Sequence, residues 1–570
     1  MTVQTHELRP AAPRPRSRLA LAATAAVVAL TLGIGGVLGA FLINGRGAGL
    51  GSLASFAPAD VAMYAEVDLA LPGAQRASLA AFLDHWSAVD PDVVLGDEFA
   101  DFVDGLILDT TPAAPPFTYT DDLAPWLSGQ FAMIMRTWPA TPSAAMAVEI
   151  PEAAVIVGSR DDAAAGAFAE RLRNLAVDGG AGPFESSEHA GVTIWSLSGT
   201  TAMVGNAEFA YAVTDGALIL ATGADEVQRA LDTRAGTATL ATSADVGRLV
   251  AALPAERVGL SVMDMRASLD ATLAGLSDLA PELAGRLEDY LAGVPDHVVG
   301  SVSFEPDRAV MTSVTEIAEG PFAARSLSAA MAERIPSDAL FYAAIPGLGT
   351  SVGAGIDLFL AGLASNDLGG PMALDWVSEF ESTTGVAVED LFSWAEDAAV
   401  YVAFDGQPSG GLVALTDDAP AARSQIDALV GALVRAAGSE LSVETETVDG
   451  AEVTRLAGAH GMPPIEIAVG DDRVTLTVGE SDGLGELDVA ASLGSVDRFA
   501  DGIGSVGGNA TSPALWIDLA GILDAVADSI PEQSTIMMMA LGNFEPFDFV
   551  ASATHEEGGL SISRTDIAVR

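Results

Sequence analysis

The sequence predicts an α+β protein, a tandem duplication of a mixed, largely antiparallel sheet-plus-helices unit preceded by one transmembrane helix. Three observations predict it: a long uncharged run near the N-terminus, five sequence blocks that recur in the same order, and hairpin signals that outnumber βαβ patterns. The membrane segment is Leu19–Ile43, which holds no charged residue and is long enough to span a bilayer core with some tilt. Arg9, Arg14, Arg16 and Arg18 precede it and only Glu7 opposes them. An excess of arginine on that side places residues 1–18 in the cytoplasm and the bulk outside it, so the expected location is a single-pass cell-membrane protein. A cleaved signal peptide is the competing reading, but its apolar region is normally about 7–15 residues. Asn44–Ser52 (NGRGAGLGS) reads as a flexible tether.

Five blocks carry the duplication. Pro58, Asp60 and Tyr64 recur as Pro336, Asp338 and Tyr342. Asp122-Leu123 and Trp126 recur as Asp390-Leu391 and Trp394. Val155 to Asp162 matches Val413 to Asp418, Ala212 to Leu220 matches Ala468 to Leu476, and Val299 to Thr315 matches Val550 to Thr565. The expected copies are 53–325 and 326–570. Each opens with a strand, Met63 to Val67 in the first. An amphipathic helix follows, with Leu79, Phe82, Leu83 and Trp86 on one face. Another strand (Ala154 to Val157) leads to a helix with Phe168, Leu172 and Leu175 on one stripe. Asp215-Gly216, between two alternating apolar runs, predicts a hairpin. Helices are expected near 224–232, 243–251 and 266–292, then a closing hairpin at 297–315. Strands and helices that segregate, with hairpins between strands, favour α+β over a doubly wound parallel sheet.

Composition excludes several functions. The chain has 570 residues, 78 acidic and 26 basic, for a formal charge of −52. Every basic residue is Arg. Such a surface has no basic stripe to displace counterions from phosphates, so no nucleic-acid partner is expected. It would concentrate divalent cations. There is no Cys, which removes disulfides, thiolate metal sites and a lipoprotein anchor.

Asp60, Tyr64 and Glu66, then Leu71-Pro72-Gly73 and Gln75, then Leu79, Phe82 and Leu83 form the first part of a pattern. Phe117, Tyr119, Asp121-Asp122-Leu123, Pro125-Trp126 and Gly129-Gln130 form the second. Together they resemble the bacterial domain of unknown function 3352 family, most clearly over about 55–135. The resemblance implies one N-terminal membrane segment followed by an exported domain. It implies no established activity, and transfers no catalytic residue. The second copy departs, with Asp397 where the first has Gly129, and with Pro346-Gly347 closer to Tyr342 than Pro72-Gly73 is to Tyr64. Trp126, Trp394, Tyr64 and Tyr342 are expected to pack helices onto the sheet. Gly129 is expected to permit a turn into a strand over Phe131 to Met135.

No chemistry-bearing constellation stands out. Gly349-Thr-Ser351-Val-Gly353 has the letters of a nucleophile elbow between a strand and a helix (Ile356 to Leu363), with His460 or His555 downstream. The first copy has no such Ser, and glycine is abundant enough (59 residues) for a chance match. Gly347 to Gly353 and Gly502-Ile-Gly504-Ser-Val-Gly507 share letters with dinucleotide loops, but a Rossmann site needs parallel βαβ units. His6, His85, His189, His297, His460 and His555 are scattered, without zinc spacing. Asp90, Asp92, Asp97, Glu98, Asp101 and Asp104 form the densest acidic stretch. Asp97, Asp101 and Asp104 are expected on the solvated face of a helix. Ile536-Met537-Met538-Met539 reads as a buried helix. No catalytic, cofactor or metal residue is therefore assigned. The expected function is a non-enzymatic binding or scaffold module of the cell envelope. Its expected partners are the bilayer through Leu19–Ile43 and an envelope protein or an apolar ligand. The alternatives are a membrane-anchored serine hydrolase using Ser351 and a structural module that binds nothing.

Overall fold

The structure is a computed structural model. It describes residues 50–570 apart from 69–70, 72, 88, 97, 111–116, 138–151, 180, 198–207, 237, 278–280, 319–324, 351, 354–355, 357–369, 405–407, 438–440, 449–450, 459–462, 480–490, 530–541 and 543. The expected anchor, Leu19–Ile43, lies outside the described residues. Among the described residues, no helix is long and apolar enough to cross a membrane.

The first half contributes β1 (Met63–Asp68), β2 (Leu127–Met135), β3 (Ala153–Ser159), β4 (Glu185–His189), β5 (Val192–Leu197), β6 (Phe209–Thr214), β7 (Ala217–Ala221), β8 (Gly259–Asp264), β9 (His297–Glu305) and β10 (Arg308–Glu316). The second contributes β11 (Ala339–Ile345), β12 (Ala398–Phe404), β13 (Pro408–Leu415), β14 (Leu441–Val448), β15 (Ala451–Gly458), β16 (Ile465–Val469), β17 (Arg473–Val478), β18 (Ala514–Asp518), β19 (Phe547–Glu557) and β20 (Leu560–Val569). In space the first half runs β4-β5-β6-β7-β3-β2-β1-β8-β9-β10. The second runs β14-β15-β16-β17-β13-β12-β11-β18-β19-β20. The two runs meet at β10–β20, in register from Arg308↔Ala568 to Glu316↔Leu560. All these pairings are antiparallel, and the β10–β20 pairing joins the two runs into one antiparallel sheet of an α+β fold.

Both faces of the sheet bear helices. The helices are α1 (Gly73–Leu83), α2 (Pro91–Leu95), α3 (Phe99–Thr110), α4 (Asp162–Asp178), α5 (Ala224–Ala235), α6 (Ala244–Val250), α7 (Met265–Ser277), α8 (Pro281–Leu291), α9 (Gly370–Thr384), α10 (Ala419–Ala437), α11 (Asp497–Ser505) and α12 (Leu519–Ser529). On one face α5 and α6 bury Val227, Leu231, Val246 and Leu249 against Tyr64, Ile134, Val262 and Val299. At the corresponding place in the second half, α11 sets Phe499 and Ile503 against Tyr342 and Trp516. On the other face α4 covers the outer strands of the first half through Phe168. There α10 does the same for the second half through Ala422 and Val430. Near the seam, α1 packs Phe82 on Phe304, Val258 and Val569.

Several expectations are refined. Helix α1 stops at Leu83, yet Trp86 beyond it still reaches Phe82 and Phe547, at ring separations of 5.0 and 5.4 Å. The single helix expected over 266–292 is two, α7 and α8, the second opening on Pro281, whose fixed φ suits a first helical turn. The β2 strand begins at Leu127, so Gly129 (φ 95°) lies inside it rather than in a turn before it. It supplies the left-handed residue of a bulge where the β2–β3 register shifts.

Candidate functional site

The residues of the family-like pattern are largely explained by backbone that needs partners. Gln75 on α1 is buried, and its side-chain amide brackets Phe304. It donates to the Phe304 carbonyl at 3.2 Å and accepts the Phe304 N–H at 2.8 Å. In effect the amide continues the sheet edge past the end of β8 and satisfies two buried backbone groups. Trp126 is buried, and its indole N–H donates to the Asp122 carbonyl at 2.7 Å. Asp122 accepts the Thr118 N–H at 2.8 Å and pairs with Arg171. Trp394 repeats the arrangement, donating to the Leu391 carbonyl at 3.0 Å.

A polar cluster lies where the incoming chain meets β1. The Gly51 N–H donates to both carboxylate oxygens of Glu66, at 2.8 and 2.9 Å. The Tyr64 hydroxyl donates to Glu66 at 2.6 Å. A Cβ on Gly51 would stand 2.6 Å from a Glu66 oxygen, so a larger residue there would push that carboxylate aside. Burial pushes the Glu66 carboxyl up. The bonds from Tyr64 and Gly51 and the charge of Arg257 act the other way. Burial and the Glu66 charge raise the Tyr64 phenol well above its ordinary range. Burial lowers Arg257, and Glu66 partly offsets this. Beside them Ser52 donates to Gln130 at 2.9 Å, and Gln130 reaches Asp68 at 3.4 Å. Gly51 and Ser52, expected in the flexible tether, are therefore held by the first half.

A second buried network closes the seam. Asp566 on β20 is fully buried. It accepts from Arg308 at 3.1 Å, Arg564 at 2.8 Å and Ser505 at 2.8 Å. Arg564 also reaches Glu305 at 2.8 Å. Hydrogen bonds to Asp307 and Asp566 raise Arg308 further above its ordinary range, against the effect of burial. The cluster unites residues 258 positions apart in sequence across β10–β20. Removing Asp566 would leave Arg308 on Asp307 and Arg564 on Glu305, and removing either arginine would leave the buried Asp566 carboxylate held by the other.

The two faces of the central sheet differ in how tightly they are covered. Partners in an antiparallel ladder share a face, so the register defines rows across the strands. On the α5–α6 face Ile134, Tyr64, Val262, Val299 and Val314 are all buried. On the opposite face one row reads Met133–Ala65–Ser261–Gly300–Ser313. Its neighbours read Met135–Met63–Met263–Val298–Thr315 and Phe131–Val67–Gly259–Val302–Met311. None of these residues is charged. Met133 and Met311 are 36% and 40% exposed, and Met63, Met135, Met263 and Val298 are half-buried, whereas the third row is largely covered, with Phe131 and Val67 buried and Val302 packed against the cluster under α1. The middle row is of small residues between β1 and β10, so it forms the floor of a shallow apolar trough. Strands lie about 4.8 Å apart, so five of them give the trough a length of about 19 Å. Helix α7, which packs against β9, has no buried residue among its described positions up to Ala274, and Leu269 and Leu273 stay half-exposed.

The candidates read from sequence do not converge. Ser351, His460 and Met537 to Met539 lie outside the described residues, as does Asp97. Gly349 is explained by packing. Its N–H bonds the Ala395 carbonyl at 3.1 Å, and a Cβ there would stand 2.4 Å from the Phe392 carbonyl oxygen. Gly502 sits on α11, where a Cβ would meet the Trp516 ring at 2.5 Å. His555 lies on β19 with a buried Nδ1 that has no partner among the described residues. His189 contacts Asp232 at 2.6 Å, and His85 contacts the Phe82 carbonyl at 3.0 Å. Asp101 is exposed on α3, and Asp104 is half-buried with its carboxylate engaged. It accepts from the Tyr119 N–H and, at 2.7 Å, from the Thr120 hydroxyl. Asp90 caps α2. Among the described residues no group of three or more His, Asp or Glu is placed to hold a metal ion.

Sequence reasoning missed Arg257 and Asp566, and saw Glu66 only as a pattern residue. A signal existed for the second: Arg564 and Asp566, two apart on a strand, share a face.

The family model described as "Protein of unknown function (DUF3352)" matches residues 106–480. It runs well into the second half, where the resemblance in sequence was thinner. No curated protein matches the chain. Among solved structures, crystal form III of TP0453 aligns at 12% identity over 42% of this chain and 93% of its own, with a TM-score of 0.19. Crystal form IV of TP0453 gives 13%, 43%, 94% and 0.20. At these scores the likeness decides neither fold nor function here.

Proposed function

We propose that this chain, which belongs to the DUF3352 family of proteins of unknown function, is a membrane-tethered, extracytoplasmic, non-enzymatic binding module built by tandem duplication. The two halves arise from one ancestral unit. The motivation is the shared strand order, with β1 to β10 matched one for one by β11 to β20. Leu19–Ile43 anchors the chain with residues 1–18 in the cytoplasm, and the Glu66 grip on Gly51 fixes where the tether enters the folded part. The ligand is neutral and apolar. The observation that carries this is the uncharged, half-open trough on one face of a sheet whose other face is closed. Contiguous exposed apolar surface on a soluble domain is normally a site of interaction. Flexible methionine side chains suit ligands of varied shape.

The neutral fluorophore N-phenyl-1-naphthylamine tests the reading. Its emission should rise on titration with the full chain in nanodiscs. The rise should be lost in the Met63→Asp, Met311→Asp double variant. Equal emission with both proteins would remove the trough as the site. Labelling by a serine-reactive phosphonate that disappears in Ser351→Ala would replace this proposal with the hydrolase reading.

A further inference from the structure

We propose that the outer edge of β14 accepts an extended, basic segment of another protein as one more antiparallel strand. This site is distinct from the trough and does not depend on it. β14 (Leu441–Val448) ends the second-half run and pairs with β15 alone among the described residues. An antiparallel strand turns the N–H and C=O groups of alternate residues away from its partner, so about half of its residues offer them outward. Ser442 to Thr447 are all exposed, and Val443 is 38% exposed. Leu441 packs into the core beneath α10, which holds the strand in place at that end. The opposite end of the sheet is blunter: β4 (Glu185–His189) is five residues long, and His189 is tied to Asp232.

The chemistry of the edge selects its occupant. Ser442, Glu444 and Glu446 share one face of β14, while Val443, Thr445 and Thr447 share the other. Arg455 pairs with Glu446 at 2.9 Å and Glu466 at 2.8 Å. Glu444 has no ion pair among the described residues. An incoming strand with Arg or Lys at alternate positions would meet Glu444 and Glu446. Its intervening β-branched residues would meet Val443 and Thr445. A second copy of this chain fits badly. Antiparallel self-pairing would bring glutamates from the two edges together, on molecules that each carry −52. The edge is therefore guarded against itself and open to a basic partner.

The test uses the full chain in nanodiscs and a labelled eight-residue peptide alternating Arg with Val or Thr. Fluorescence anisotropy should report binding, and amide exchange should slow at 441–448. Glu444→Arg with Glu446→Arg, both on the exposed surface, should weaken the basic peptide at least tenfold. The same variant should gain binding of a Glu-for-Arg counterpart. N-methylating alternate peptide amides should abolish binding while leaving charge unchanged. Equal binding of the methylated peptide would show charge attraction without strand addition, and would overturn the proposal. So would protection elsewhere than 441–448, or concentration-dependent self-association through this edge.

Discussion

The two halves fasten their incoming chains with different carboxylates. In the first, Glu66 from the central strand holds the Gly51 N–H. In the second, the residue matching Glu66 by spacing from the opening tyrosine is Ala344. Its place is taken by Asp397, just before β12. Asp397 is buried and accepts the Ser328 N–H and, at 2.9 Å, the Gly347 N–H. Other features of the junction are shared. Pro58 bridges to Thr239 as Pro336 does to Ser492. Leu240 N–H bonds the Ala57 carbonyl as Leu493 N–H bonds that of Ile335, both at 2.8 Å. Buried backbone donors must be satisfied, but the fold leaves open which strand supplies the acceptor. This explains why Asp397 stands where the first half has Gly129: it is an anchor rather than a lapse from the pattern.

The largest test of this comparison lies where the halves join. Asp566→Ala removes the acceptor that Arg308, Arg564 and Ser505 share, with charge-assisted hydrogen bonds from both arginines, and should cost about 3–5 kcal/mol in urea unfolding. It should also split a single transition into two, since the seam is lost before either core. Next come the anchors. Asp397→Ala strips two donors of their acceptor and should cost about 2–4 kcal/mol, and Glu66→Ala about 1–3 kcal/mol. Amide exchange should rise at 326–330 and 346–348 in the former and at 50–56 in the latter. Exchange spreading across a whole half would deny the anchor role. Smaller effects separate two glycines. Gly347 has φ 60°, so Gly347→Ala should cost about 1–2 kcal/mol. Gly73 opens α1 with nothing within 4 Å of a Cβ, and Gly73→Ala should be neutral or stabilise by about 0.5–1 kcal/mol.

The smallest effect depends on pH. The folded Glu66 carboxyl is raised above its ordinary value of 4.5, so the folded state holds that proton more firmly than the unfolded chain does. The associated stability is complete below 4.5 and is lost as pH climbs through the folded value. The melting temperature of the native protein should therefore fall relative to Glu66→Gln across that window. A constant difference would contradict the burial of this carboxyl.

Strand positions were legible because alternation and Asp-Gly turns are local signals: β6, β7 and the β9–β10 hairpin fall where the pattern places them. The matched blocks also marked the strands that occupy corresponding places in the two runs. The β10–β20 pairing was not legible, because a strand does not encode its neighbour across 250 residues of chain. The roles of Gln75 and Asp104 were hidden for a similar reason. Both satisfy backbone groups remote in sequence, Phe304 and Tyr119–Thr120, and nothing in their own spacing points there. The trough was also invisible. Its rows come from five strands, and only their register shows that the methionines share a face.

Peptide-resolved oxidation of methionines by dilute peroxide tests the half-open face most directly, because each thioether reports its own access to solvent. Met133 and Met311 should oxidise fastest and Met63 and Met263 more slowly, while Met331, fully buried under the closed face, stays reduced; saturating N-phenyl-1-naphthylamine should protect the first four. Met311 and Met133 as resistant as Met331, or oxidation unaffected by the fluorophore, would contradict an open apolar trough that binds a ligand.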